Sequence, residues 1–462
     1  MTDAPTATPP PSPLDLVRTR GYVVLLVFGA IVGVPVAVVA YFFLEAVSRG
    51  QQYFFSDLPT ALGFSGEPAW WPLPFLFLSG LLVALCLTYL PGTGGHNPAE
   101  GLKTGGTVAA IDLPSIFLAA LATLVFGVVL GPEAPLVLIG AGLAVIIVRL
   151  FKRDAPDMAI VVIGAAGSFA AISTLLMSPL AGAFLLLEAA GIGGGMASVV
   201  LVPGLVAAGV GALVFVGLDR LTGFGTMSLA VPHIPPAATP TVGEFGWALV
   251  IGVAAAVLGT AIRRLAFQIQ PWVERRRILT TPLLGLIIAT SAIVFEQVTG
   301  KTSSLVLFSG QSALAPLVQH AATFTAGALV LLVACKSLAY GVSLSGFRGG
   351  PTFPGMFIGA AGGIALSHLP GLPMIDGVGM GIGAMTVVML GGLPLTSVLL
   401  SLLFLQADAL NLISVVIIAV AVSFVVSAWL SRWLRPASSA ETTAPDAAGA
   451  PTAEPAPAPS SS

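Results

Sequence analysis

From Ile116 to Val148 the sequence carries one ionisable side chain, Glu133, and from Met158 to Leu218 only one more, Glu188. About 20 apolar residues are enough to cross the hydrocarbon core of a bilayer, so uninterrupted runs of this length belong inside one. The composition agrees. Of 462 residues, 56% are hydrophobic and 8% are charged, where a soluble chain has about 25% charged residues, and mean hydropathy is +1.01. Such a chain has too little polar surface to cover a water-soluble body, and the expected class is an all-α integral membrane protein.

A formal net charge of −2 supplies no basic field for nucleic acid. Cys86 and Cys335 each lie in apolar runs, where a free thiol behaves as a small hydrophobe. Residues 1–13 lack the basic n-region and adjacent apolar core of a cleaved leader, so the first helix, starting near Tyr22, is expected to be retained. The expected organisation is a disordered tail over 1–19 and a membrane domain over 20–435, with halves at roughly 20–218 and 245–435. A second disordered tail over 436–462, rich in Pro, Ala, Ser and Thr, follows. Basic clusters at Arg18/Arg20, Arg149/Lys152/Arg153, Arg263/Arg264, Arg275–Arg277 and Arg432/Arg435 mark cytoplasmic edges by the positive-inside rule. The stretches from Ser48 to Trp71 and from Asp219 to Trp247 read as external loops. Both termini are then cytoplasmic in a multi-pass protein of the cell membrane. At 20–25 residues each, about 14–18 helical segments fit, some too short to cross alone.

Glycine and proline gather in three breaks between apolar runs: PGTGGHNP at 91–98, GPEAP at 131–135 and FRGGPTFPG at 347–355. The second break is followed by PLAGAFLLLE (179–188) and the third by PLTSVLLSLL (394–403), at similar spacing. Matching interrupted helices in two halves are the sequence signature of a site at a repeat interface. A helix that begins at membrane depth presents unpaired N–H groups and the positive end of its dipole. Several such starts aimed at one point make an anion site without a full positive charge. Thr93 and Thr352 add hydroxyl donors.

Glu133 stands at such a start, where two roles fit: a tethered competitor for the anion, released by protonation, or a helix-capping carboxylate. Glu188 is a buried structural acid or part of a proton path. Lys336 raises the potential along an ion path or snorkels to an interface, and Arg348, beside the third break, suits a pore mouth. The four histidines, His96, His233, His320 and His368, have no ligand spacing, so neither a metal nor a cofactor is expected.

These motifs resemble those of the chloride channel/transporter (ClC) family. GTGGHNP (92–98) is similar to its first anion-site loop, Gly-Ser-Gly-Ile-Pro. GPEAP is similar to Gly-Arg-Glu-Gly-Pro, and GGPTFP (349–354) to Gly-Gly-Ile-Phe-Ala-Pro. PLAGAFLLLE and the lysine of ACKSLAYG (334–341) fall in family order, and the similarity spans roughly 20–430. The resemblance implies a two-halved inverted repeat with broken and re-entrant helices, working as a homodimer in the lipid bilayer with a pore in each subunit. It implies transport of chloride or another small anion, with protons as a second cargo in exchanging members, and no enzymatic activity. It makes Glu133 the gate and draws the anion-binding set from Gly92, Thr93, Gly94, Gly131, Glu133, Ala134, Gly350, Thr352 and Phe353. Glu188 becomes the first of a Glu-Glu pair.

The chain departs from the pattern in places. Ala189 replaces the second glutamate, which leaves a passive channel or a weakly proton-coupled exchanger. No tyrosine follows Tyr340, so the family's C-terminal pore phenol has no counterpart; Pro132 replaces the arginine before the gate. Pro351 and Thr352 replace Ile-Phe, removing one N–H donor. Chloride is the default cargo; fluoride, nitrate or an organic anion or oxyanion is the alternative. A remote alternative is an intramembrane serine protease built on GFSG (63–66), which lacks a convincing base within reach.

Overall fold

The computed structural model describes residues 15, 17–102, 108–191, 194–224, 239–406 and 409–433. Most of the two tails, His233 and the middle of the 219–247 loop lie outside them. Among the described residues the chain is helical, with no strand beyond one isolated β-bridge.

The first half contains α1 (Arg20–Gln52), α2 (Pro72–Tyr89), α3 (Leu113–Val125), α4 (Glu133–Phe151), α5 (Asp157–Leu176), α6 (Pro179–Ala189) and α7 (Gly194–Thr222). The second contains α8 (Val242–Arg275), α9 (Arg277–Thr299), α10 (Gln311–Gln319), α11 (Ala326–Gly346), α12 (Thr352–Leu366), α13 (Met374–Met389), α14 (Pro394–Leu405) and α15 (Ala409–Leu430). With α10 set aside, the two lists correspond in order, and so does the packing. Helix α1 lies on α7 as α8 lies on α15, α4 lies on α5 as α12 lies on α13, and α2 meets its counterpart α9.

Lipid supplies no hydrophobic drive between helices, so close packing of small residues must do so. Gly140 of α4 faces Gly167 of α5, where an added Cβ would lie 2.5 Å from the Gly167 carbonyl oxygen. Gly359 and Gly363 of α12 meet Gly381 and Gly377 of α13 in the same way. Nine helices are long and apolar enough to cross a membrane among the described residues. Helices α6 and α14, at 11 and 12 residues, rise only about 18 Å against a core of about 30 Å. Such short helices cannot cross the core alone, and backbone at membrane depth is tolerated only if protein covers it or it lines a cavity.

One expectation needs correction. The segment beginning at Ser48 is not a loop: helix continues through a π-turn (Tyr53–Asp57) to Ala61, because Phe54 and Phe55 pack on Phe75, Phe126 and Phe308. Arg263 lies inside the continuous helix α8, where its guanidinium donates to the carbonyls of Ala99 (3.2 Å) and Val388 (3.3 Å).

Candidate functional site

The second and third breaks meet. Gly131 and Gly350 form the antiparallel bridge, exchanging N–H···O bonds of 2.8 and 2.5 Å. The pairing stands each of α4 and α12 on one residue of a miniature two-stranded ladder. Both glycines are required by close approach, since a Cβ on either would collide with Oε2 of Glu133.

Glu133 opens α4 and is fully buried. Its Oε1 accepts from the backbone N–H of Thr352 (2.7 Å) and of Phe353 (3.1 Å), the first two residues of α12. The carboxylate thus occupies the N-terminus of the symmetry-related helix, a position suited to an anion by both orphan donors and dipole. Pro351 precedes the helix and has no N–H to give, as its identity requires. Among the described residues, neither Glu133 Oε2 nor the buried Thr352 hydroxyl has a partner in hydrogen-bonding geometry. The Pro351 carbonyl accepts from Tyr340 (2.6 Å), a fully buried phenol on α11. Ala134, the second residue of α4, is only partly buried.

The first break is placed differently. Gly92 and Gly94 take left-handed conformations (φ 81° and 66°), and the chain then makes a single 3-10 turn, Pro98–Glu100. A turn this short supplies few helix-terminal donors. The Thr93 hydroxyl donates to the Gly95 carbonyl within its own loop (3.2 Å). Arg348 joins the third break to the first, its Nε donating to the Thr93 carbonyl at 2.9 Å. Together they bound a polar cavity of about 270 Å³ that extends to Arg277 at the α8–α9 junction.

The remaining candidates have definite partners. Lys336 is fully buried on α11, and its ammonium donates to four successive carbonyls: Leu305, Val306 and Leu307 at 3.0 Å and Phe308 at 3.3 Å. The Phe357 ring covers it at 4.5 Å. Glu188 at the end of α6 caps α14, accepting from Leu395 N (2.9 Å), Thr396 N (2.7 Å) and Thr396 Oγ1 (2.6 Å). His320 and His368 each bond a carbonyl one turn back, and His96 lines the cavity. Among the described residues no cluster of metal-ligating side chains occurs. Ser65 of GFSG is in an exposed loop.

Two residues of this region escaped sequence reasoning. The sequence marks Tyr340 only as a member of the lysine motif and as the last tyrosine, and Arg263 only as one of a basic pair. The one signal available was an arginine and a tyrosine, each within an otherwise apolar helical run.

A profile of the voltage-gated chloride channel family matches residues 80–428. YfeO of Salmonella newport, described as an ion-transport protein, is 30% identical over 370 residues, covering 77% of this chain and 84% of that protein. Its counterpart in Salmonella paratyphi A is 29% identical over the same length. In fold the chain resembles a slow cyanobacterial Cl⁻/H⁺ antiporter, with a TM-score of 0.70 at 20% identity, covering 89% of this chain and 98% of that one. It also resembles a CLC-type fluoride/proton antiporter, with a TM-score of 0.63 at 20% identity over 88% and 95% of the two chains.

Proposed function

We propose, from the premise that this chain belongs to the voltage-gated chloride channel family, that it carries small inorganic anions through a pore closed by Glu133. The observation that carries this reading is the pair of hydrogen bonds from Thr352 and Phe353 to one oxygen of a fully buried carboxylate. A carboxylate held by two helix-terminal N–H groups stands where a halide would be held. Transported anion and Glu133 then compete for the same donors, and protonating Glu133 removes the competitor.

Chloride is the default cargo; the structural neighbours include antiporters of chloride and of fluoride. Glu188 is committed to three hydrogen bonds at α14, and its neighbour is Ala189, with no second carboxylate to pass a proton on. That arrangement favours a passive channel or a weakly coupled exchanger. Leu180, Phe184 and Leu395, exposed on the adjoining helices α6 and α14, suit a subunit contact within the bilayer. The arginines at 275–277 are assigned to the cytoplasmic side.

The test is anion efflux from proteoliposomes with internal pH recorded. Wild-type flux falls as pH rises through the titration of Glu133, by up to about tenfold per unit, whereas Glu133→Gln gives higher flux with that dependence lost. A Glu133→Gln protein with wild-type flux and pH profile contradicts the gate. Uphill proton movement driven by chloride would assign exchange.

A further inference from the structure

The gate gives no task to the turn between α8 and α9. Both helices are long and apolar enough to cross a membrane, and only Arg276 (φ −143°, ψ 52°) separates them. Two spans joined through one residue must meet at a membrane face. Helix α8 has 34 residues, a rise of about 51 Å against a hydrocarbon core of about 30 Å, so it has length to spare for the headgroup layer. Around the turn, two kinds of side chain are exposed together. Trp272 is 72% exposed and Leu279 64%, and between them Arg275 and Arg276 are exposed as well. An indole and an aliphatic tip suit the edge of the hydrocarbon, whereas guanidiniums suit the layer of phosphates above it. The mixture is that of a membrane interface rather than of a surface facing bulk water.

The same arginines line an open cavity of about 630 Å³ whose far wall is Leu87 and Thr88 at the end of α2. Its charged lining is Arg275, Arg276 and Arg277 against Glu274 alone, and Glu274 accepts from Gln270 (2.7 Å). Arg277 is anchored, its Nη1 donating to the Leu87 carbonyl at 3.4 Å. A basic pocket between the ends of membrane helices is a place where an anionic headgroup collects, and the planar fork of a guanidinium matches phosphate oxygens. We propose that this cavity binds the phosphate of an anionic phospholipid, with Arg275 and Arg276 on the headgroup and with Trp272 and Leu279 beside its glycerol and acyl chains. A free phosphate would meet the same guanidiniums, but it would have no use for the exposed indole and leucine, and the lipid is therefore the assigned source. Binding here is independent of Glu133 and of the anion that the pore carries.

Native mass spectrometry of the purified full chain in neutral detergent, titrated with phosphatidylglycerol or with phosphatidylcholine, tests it. Wild type is expected to hold phosphatidylglycerol at least about tenfold more tightly, and each arginine removed should weaken it about fivefold. The double variant Arg275→Gln/Arg276→Gln therefore loses more than about tenfold; Arg277 is kept because it ties α2. Arg149→Gln/Arg153→Gln, at another basic edge, should bind as wild type does. Melting temperatures measured without lipid verify that both variants are folded, as substitutions of exposed side chains should be. Equal affinity of wild type for the two lipids overturns the site, and so does wild-type affinity in the folded Arg275→Gln/Arg276→Gln protein. An equal loss in Arg149→Gln/Arg153→Gln also overturns it, because binding would then follow the overall positive charge rather than this cavity. Inorganic phosphate that displaces phosphatidylglycerol at equal concentration overturns the lipid as the source.

Discussion

Lys336 shows how burial alone misleads about a charged residue. In the sequence it is a cation in an apolar run, equally suited to tuning a pore or to snorkelling. In the structure its ammonium closes the turn at 305–308 with four carbonyl contacts, and the same turn bonds Gly127 through Phe308 N (3.0 Å), just ahead of the gate segment. Its first task is therefore structural. Lys336→Met should lower stability by roughly 1–3 kcal/mol for each carbonyl left buried without a donor, observed as a large drop in melting temperature in detergent. If the variant melts like wild type, the carbonyl cage is not what holds this turn. At the same scale, Gly131, Glu133, Gly350, Thr352 and Phe353 were grouped in one set by the resemblance of their motifs to the family's, and the structure brings them together. The position of Thr93 was not readable. Nothing in GTGGHNP says that only one turn of helix follows, or that Arg348 bonds a carbonyl of that loop.

Among the elements, the connection after α1 offers a pH handle. Glu67 lies in the stretch between Ala61 and Pro72, where Ser303 donates to it at 3.3 Å. Burial and the neighbouring Glu296 carboxylate raise its pKa from 4.5 to about 7. The folded state thus holds this proton more tightly than the unfolded chain does. Stability from this group is fully present below pH 4.5 and declines as pH rises toward 7. Glu67→Gln should flatten that decline and melt above wild type at pH 8, with no difference at pH 4. Equal melting curves at pH 8 would show that the Glu67–Glu296 pair is relaxed by solvent. Helix existence was easy to read from the apolar runs, but one boundary was not. The aromatic run at 53–55 looked like loop because its partners are distant in sequence, and the carbonyls that Arg263 bonds leave no mark in the sequence either.

For the whole molecule, the order of the breaks carried more information than any break alone. The spacing of GPEAP and GGPTFP to the following Pro-Leu segments predicted two related halves, and the structure lists the same helices twice, bridged at Gly131 and Gly350. What spacing could not show is that the acid opening α4 fills the N-terminus of α12. That seating of Glu133 carries the proposed function. It is tested most directly by crystals of Glu133→Gln soaked in bromide and read by anomalous scattering. A bromide within hydrogen-bond distance of the Thr352 and Phe353 N–H groups is expected in the variant, and none there in wild type at high pH. Bromide at that position in both proteins, or in neither, would contradict it.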